Sequence, residues 1–436
     1  DLKSELILVK SELANIKANQ LSGDQKVQLK GSVAAKMTTL SLSGFAQPLP
    51  DQPLQGRRTI TVSHNGSGGS VYIGTSDVVP GQGLRIGPNS SPLTMQAGYN
   101  DVLYAAANPF EWRGGFAPKR SVYLPYKGTV VGLAGNSLYV SYDLGASWEP
   151  LRVFEEVNEI GALTVIGLKP DGEYQLVVGG WRSGAVRLYT SEDSGQSWDE
   201  VYYRDSNTPY VTMGSAAPDG TVLIVGLGVG TNARGVYRSV DFGRTWKFTQ
   251  WNVMQPSPPQ MLSVAHLSDG VFVAGASYLS YALGEPHIWR TKDGGETWEG
   301  LHFADITRVN AILPLSEDVA LFVCHRDTAA MRIIKGENLL SPDAQDATFT
   351  EVYTRTSNVS QFDVVSVAKN EEIAIVATQR TIRLSDDHGV SWRDVGWSGV
   401  TDLMSVGGRR FLATIGDSMY MGYDNLQTPI SVVEGI

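Results

Sequence analysis

The chain has 436 residues, 42% of them apolar, which is more than one average domain and enough for two or three packed units. A net charge of −10 argues against a nucleic-acid-binding surface, and no run of about 18 apolar residues marks a membrane span. A single cysteine, Cys324, excludes a disulfide framework, so the fold must stand on packing or oligomerisation.

Residues 1–22, DLKSELILVKSELANIKANQLS, carry Leu2, Leu6, Val9, Leu13 and Ile16 at spacings of 4, 3, 4 and 3. That is a short heptad seam, with Leu6 and Leu13 at a and Leu2, Val9 and Ile16 at d, a pattern that favours trimers or tetramers. One amphipathic helix packed on its own chain is the alternative. No signal peptide is visible, and a start at Asp1 rather than Met implies a longer parent chain. Residues 23–58, with the Pro-rich QPLPDQPLQG at 47–56, read as an extended linker. Over 59–120 the segments TITVSH, SVYIGTSDV, GLRIGPNSSPLTMQ and DVLYAAA predict a small antiparallel β-domain, sandwich-like.

From about Ser121 a repeat takes over. The 47 glycines of the chain cluster between short apolar runs, the texture of strands and turns. Five octamers read Ser/Thr-x-Asp-x-Gly-x-x-Trp, with tryptophans at 148, 198, 246, 298 and 392, spaced by 50, 48, 52 and 94 residues. The last gap is nearly double and holds a decayed copy, in which Thr348-Phe349 replaces Ser-Trp. Another decayed copy, SMYMGYDNLQTPISVV, closes the chain. Each unit also supplies strand candidates, such as ALTVIGL, YQLVVGG, VRLYTS and WDEVYY in the second. Four short strands in 40–50 residues are a propeller blade that must stack with its neighbours to bury both faces.

The octamer resembles the Asp box, or BNR repeat, of the sialidase-like propellers. The resemblance covers about 310 residues and implies a seven-bladed propeller over 121–436, with each box in the hairpin between the third and fourth strands of a blade. The expected fold is therefore mainly β: an N-terminal coiled-coil helix, a small β-sandwich-like domain and an Asp-box β-propeller. Within the boxes, Asp143, Asp193, Asp241, Asp293 and Asp387 are expected to accept turn N–H groups. Gly145, Gly195, Gly243, Gly295 and Gly389 would supply positive φ. Trp148, Trp198, Trp246, Trp298 and Trp392 would pack on their own blades. A carboxylate repeated at blade period is structural, so the motif gives fold and not function.

Sialidases of that family carry Phe/Tyr-Arg-Ile-Pro before the first box, three arginines, a Tyr/Glu pair and an acidic Asp. No such tetrapeptide occurs here. Arg120 is the nearest arginine, and Arg182, Arg308, Arg326, Arg332 and Arg383 do not assemble into the triad. Asp305, Asp327 and Asp363 read as turn or surface acids, although a carboxylate pair of another hydrolase type stays open. The CHRD cluster at 324–327 reads as a strand end followed by a loop, and no residue spacing fits a metal or a cofactor.

Binding is expected on the face opposite the boxes, where long, varied loops carry Trp181, Arg182, Asn232, Arg234, Trp251, Tyr278 and Tyr281. The small β-domain resembles those of phage virion and tail proteins. With a helical stem and a terminal head, the resulting expectation is a trimeric phage tail fibre or receptor-binding protein. Its partners would be other virion proteins and a host-surface glycan or protein, and its place the virion, outside the cell. The alternatives are a polysaccharide-degrading spike of glycoside hydrolase type and a non-viral propeller scaffold or adhesion factor.

Overall fold

The computed structural model describes the strands between residues 25 and 114 and then residues 115–205, 209–228, 235–250, 260–277, 286–303, 306–326, 330–355, 365–370, 373–378, 381–394, 399–407, 410–423 and 428–435. The helix expected over 1–22 lies outside the described residues. The chain forms two compact units: Asp1–Glu111 with Asn425–Ile436, and Trp112–Asp424.

The first unit holds two antiparallel sheets. One runs in the order Gln25–Leu29, Val33–Leu42, Thr428–Gly435, Thr59–His64, Leu93–Gln96. The other runs Gln47–Leu49, Leu103–Asn108, Ser70–Gly74, Leu84–Ile86. Val62 from the first and Ile86 from the second are buried. Within 23–58, expected as an extended linker, Gln25–Leu29, Val33–Leu42 and Gln47–Leu49 are paired strands. Pairing with Val33–Leu42 also takes Thr428–Gly435 out of the repeat region. The reason is long-range pairing: Val33–Leu42 finds its partner almost at the far end of the chain, and local composition carries no trace of such a partner.

The second unit is a succession of four-stranded antiparallel meanders, over 120–153, 159–205, 209–250, 260–301, 308–355 and 365–394. The fourth and fifth touch through one bridge, Ser277 to Arg308. The final sheet is made of Val400–Ser405, Arg410–Ile415 and Ser418–Tyr423. Its fourth strand is Phe110–Gly114, from before the first meander, and not the ISVV segment that the repeat pattern suggested. The first strands of the meanders pack each against the next, and Val400–Ser405 packs back on Arg120–Leu124. The ring thus closes on itself.

Packing explains why the middle strands are almost continuously apolar. Each sheet is covered on both faces, so Tyr174–Arg182 and Val271–Ser277 bury nearly every residue. Leu133, Leu138 and Phe154 of the first sheet pack with Leu163, Leu176 and Val178 of the second. Val130, Leu144 and Trp148 of the first also pack with Met404, Leu412 and Met421 of the last, which seals the ring.

The five octamers build one turn. In the second, Asp193 Oδ1 accepts from Ser191 Oγ at 2.8 Å and from the Ser197 N–H at 2.8 Å, and its Oδ2 accepts from Ser197 Oγ at 2.6 Å. Ser191 Oγ in turn accepts the Gly195 N–H at 2.8 Å. The same set surrounds Asp143, Asp241, Asp293 and Asp387. The box glycines take φ between 79° and 96°, where a side chain would be strained. Trp198, Trp246 and Trp392 donate their indole N–H to the carbonyl of the box glycine, at 2.8–3.2 Å. In the fifth sheet the hairpin carries an insertion with a short 3₁₀ turn, Ala344–Asp346, and Phe349 pairs opposite Gly336 in the place of the tryptophan.

Burial would raise the Asp241 carboxyl, but hydrogen bonds from Thr245 and Ser239 outweigh it and hold the group below the usual range. Asp387, in the same geometry, is brought down to about 2. Because the folded values lie below the unfolded ones, these groups stabilise the fold above pH ~4 and lose that contribution as pH falls towards about 2. Asp241→Ala strips the charged acceptor that the Ser239 hydroxyl and the Thr245 N–H and hydroxyl share. The expected cost is about 1–3 kcal/mol, read as a lower urea midpoint at pH 7.

Candidate functional site

The loop residues expected to bind divide in two. Asn232, Arg234, Trp251, Tyr278 and Tyr281 lie outside the described residues. Trp181 and Arg182 end the second strand of the second meander. Trp181 is half-buried and packs with Val186, Val211 and Tyr237 between the second and third sheets. A methyl group on Gly161 would come within 2.7 Å of its ring. Trp181 therefore packs part of its ring between two sheets. Arg182 is exposed, and its guanidinium donates to the Glu155 carbonyl at 2.9 Å. The two are not brought together into one binding surface.

The residues that do converge are on the innermost strands. Several of these strands carry a register shift near their start: between Ile160 and Ala162, Val211 and Met213, Met261 and Ser263, Val309 and Ala311, and Val400 and Asp402. A bulge at this place frees a carbonyl from its ladder. Arg120, which heads the first axial strand, uses two of the freed carbonyls. Its Nη1 donates to Gly161 O at 3.0 Å and also to Thr212 O. Thr212 Oγ1 passes the pattern on to Leu262 O at 3.3 Å. Between the sixth sheet and the last, Ser366 Oγ accepts the Leu403 N–H at 2.9 Å.

Asp402 sits in this polar belt. It is 8% exposed, and Ser121 Oγ donates to its Oδ2 at 2.5 Å. Burial pushes its carboxyl up to about 6, against the opposing pull of the Ser121 hydrogen bond, the Arg120 charge and the Leu403 and Ser121 backbone. Burial also lowers Arg120, with partial compensation from Asp402. The result is a carboxyl that holds its proton into mildly acidic solution, next to a fixed guanidinium and a hydroxyl. Such a group can act as a proton donor.

The other sequence candidates have structural employment. Cys324 is buried and its thiol is pushed up by burial, far from thiolate chemistry. Arg332 pairs with Glu351 at 3.1 Å, and Arg383 donates to the Tyr353 hydroxyl at 2.8 Å. Asp305, Asp327 and Asp363 lie outside the described residues. Among the described residues no group of three or more His, Cys, Asp or Glu is placed to hold a metal ion.

No family model matches the chain. Among structures of known proteins, a GH74 enzyme from Niastella koreensis superposes with a TM-score of 0.51 at 14% identity, covering 72% of this chain and 53% of that one. YCF48 from Cyanidioschyzon merolae superposes with a TM-score of 0.53 at 15% identity, covering 72% of this chain and 98% of that one. Both are β-propeller proteins.

The fold is a β-propeller. In sequence, a curated Neosartorya fischeri protein described as a probable oligoxyloglucan-reducing end-specific xyloglucanase is 28% identical over 145 residues, or 30% of this chain. The propeller chain spans 17% of that relative's length. These similarities correct the reading as a phage tail fibre. That reading rested on residues 1–22 and on the strand texture of the first unit, whereas the similarity found in sequence, over part of the chain, is to a protein described as a probable xyloglucanase.

Proposed function

We propose that the chain is a seven-bladed Asp-box propeller that acts on polysaccharide outside the cell as a glycoside hydrolase, with Asp402 as the proton donor. The observation that carries this is the placement of the Asp402 carboxyl on an innermost strand, hydrogen-bonded by Ser121, with burial pushing its titration up against the pull of the Arg120 charge. The partial sequence similarity to a xyloglucanase supports a neutral, glucan-type substrate.

In this reading Asp402 gives its proton to the glycosidic oxygen as the bond to the anomeric carbon breaks, and water completes the hydrolysis with help from a second carboxylate. Glu155 and Glu156, in the connection between the first two meanders, and Glu159, which begins the next strand, are carboxylates at the end of the axial strands that Arg120 heads. Arg120 stays charged and limits how far the Asp402 carboxyl can rise. Ser121 holds the carboxyl in one orientation.

A second reading, glycan binding without cleavage, is favoured by one observation: only 8% of Asp402 is exposed. One experiment separates the two. Incubation with xyloglucan and other neutral glucans is expected to release reducing ends, and to release none after Asp402→Asn. Calorimetric binding of the same oligosaccharides without any release would overturn hydrolysis and leave the binding reading.

A further inference from the structure

The hairpin face that carries the Asp boxes holds a cavity of about 480 Å³ between the first and second meanders. Its lining includes Lys127, Val140, Tyr142, Glu173, Ser194 and Gln196. Val140 and Ser194 are buried and form a small floor. Tyr142 stands beside it, 60% exposed, at the variable position between the box Ser141 and Asp143. Nothing in the hairpin geometry requires an aromatic there: the corresponding residues are Glu192, Val240, Lys292 and Asp386. A second ring, Tyr126, is 72% exposed and lies over Gly172, where a methyl group would approach it to 2.9 Å.

The Lys127 and Glu173 side chains of the cavity are already paired. Lys127 Nζ meets Glu173 Oε1 at 2.7 Å, and Ser194 Oγ donates to Glu173 Oε2 at 2.7 Å. The Lys127 and Ser194 hydrogen bonds keep Glu173 below the usual carboxylate range, hence ionised. Asp193 also lines the cavity, so its net charge is slightly negative and an anionic ligand is disfavoured. An exposed aromatic wall, a floor of Val140 and Ser194, and a rim of ion pair and amide suit a polyhydroxylated ring that carries no charge.

The geometry points to a neutral saccharide-binding site in this cavity, with a pyranose face against Tyr142 and its hydroxyls on Gln196, Glu173 and Lys127. The site is separate from the axial carboxyl. It would hold a polysaccharide on the propeller whether or not Asp402 cleaves it, so it does not depend on the hydrolytic reading.

The test is affinity electrophoresis of the full chain at 4 °C in gels containing xyloglucan, mixed-linkage β-glucan or polygalacturonate. Wild type is expected to be retarded by a neutral glucan. Tyr142→Ala is expected to lose at least tenfold in apparent affinity. Tyr203→Ala, at a 51% exposed tyrosine elsewhere on the propeller, controls for non-specific stacking and is expected to match wild type. Equal retardation of Tyr142→Ala and wild type overturns the site, as does no retardation of wild type by any neutral glucan. Retardation by polygalacturonate alone overturns the neutral ligand class. Hydrolysis is scored separately, so its failure leaves this outcome readable.

Discussion

Asp402→Asn is expected to lower glycan hydrolysis by about 10²–10⁴-fold, the usual contribution of a positioned acid, without lowering stability at neutral pH. The separation follows from the sign of the shift. The folded carboxyl titrates at about 6, above its ordinary 3.8, because burial penalises the charge. The contribution to stability is therefore most favourable below pH ~4 and is lost as pH rises through about 6. A shift of roughly two units corresponds to about 3 kcal/mol. An amide carries no charge to desolvate, so the variant is expected to melt at or above the wild-type temperature at pH 8. Activity follows the same proton: full when Asp402 is protonated, then falling about tenfold per pH unit above about 6. Reducing-end release and thermal melting, measured on the same preparations, check both halves.

Gly161→Ala is expected to do the reverse and break the ring itself. A Cβ at this position would lie 1.7 Å from the Val211 carbonyl oxygen and 2.7 Å from the Trp181 ring. The first is backbone of the adjacent axial strand and the second is packed between two sheets, so neither yields cheaply. Gly161 also sits at a bulge, and its carbonyl accepts from Arg120 at 3.0 Å. Overpacking of this kind costs about 3 kcal/mol or more, and the same shift would displace the guanidinium next to Asp402. The result is a fall of several degrees in Tm together with impaired activity. Gly167→Ala on the same strand is the control. Nothing lies within 4 Å of its Cβ, and the change is expected to stay within about 0.5 kcal/mol.

The repeat was legible because each turn is local. Asp193, Gly195 and Trp198 sit within six residues, and the hydrogen bonds that define the hairpin lie among them, so the spacing survives in the sequence. The ring closure was not legible. Phe110–Gly114 completes a sheet whose other strands come some three hundred residues later, and nothing in FEWRG names that partner. The same blindness turned Val33–Leu42 into a linker.

Asp402 left a faint signal. Aligned on the bulges of the axial strands, its position holds Ala162, Met213, Ser263 and Ala311 in other meanders. An acid there, between Val400 and Leu403, is a buried charge in a place built for a small or apolar side chain. Reading the boxes alone drew attention to five repeated carboxylates with structural work and away from the one that breaks the pattern. Trp181 was not legible as a packing residue either, because the sheet that meets its ring over Gly161 comes from the next meander.

The most direct test of the account is the pH dependence of kcat/KM on a xyloglucan oligosaccharide, for wild type and Ser121→Ala. Ser121 donates to the ionised form of Asp402 and so pulls its carboxyl down. The account predicts a wild-type rate that falls above about pH 6, and a descending limb displaced to higher pH once the hydroxyl is removed. Superimposable profiles, or a wild-type rate that does not fall above pH 6, would contradict the assignment of Asp402 as the proton donor.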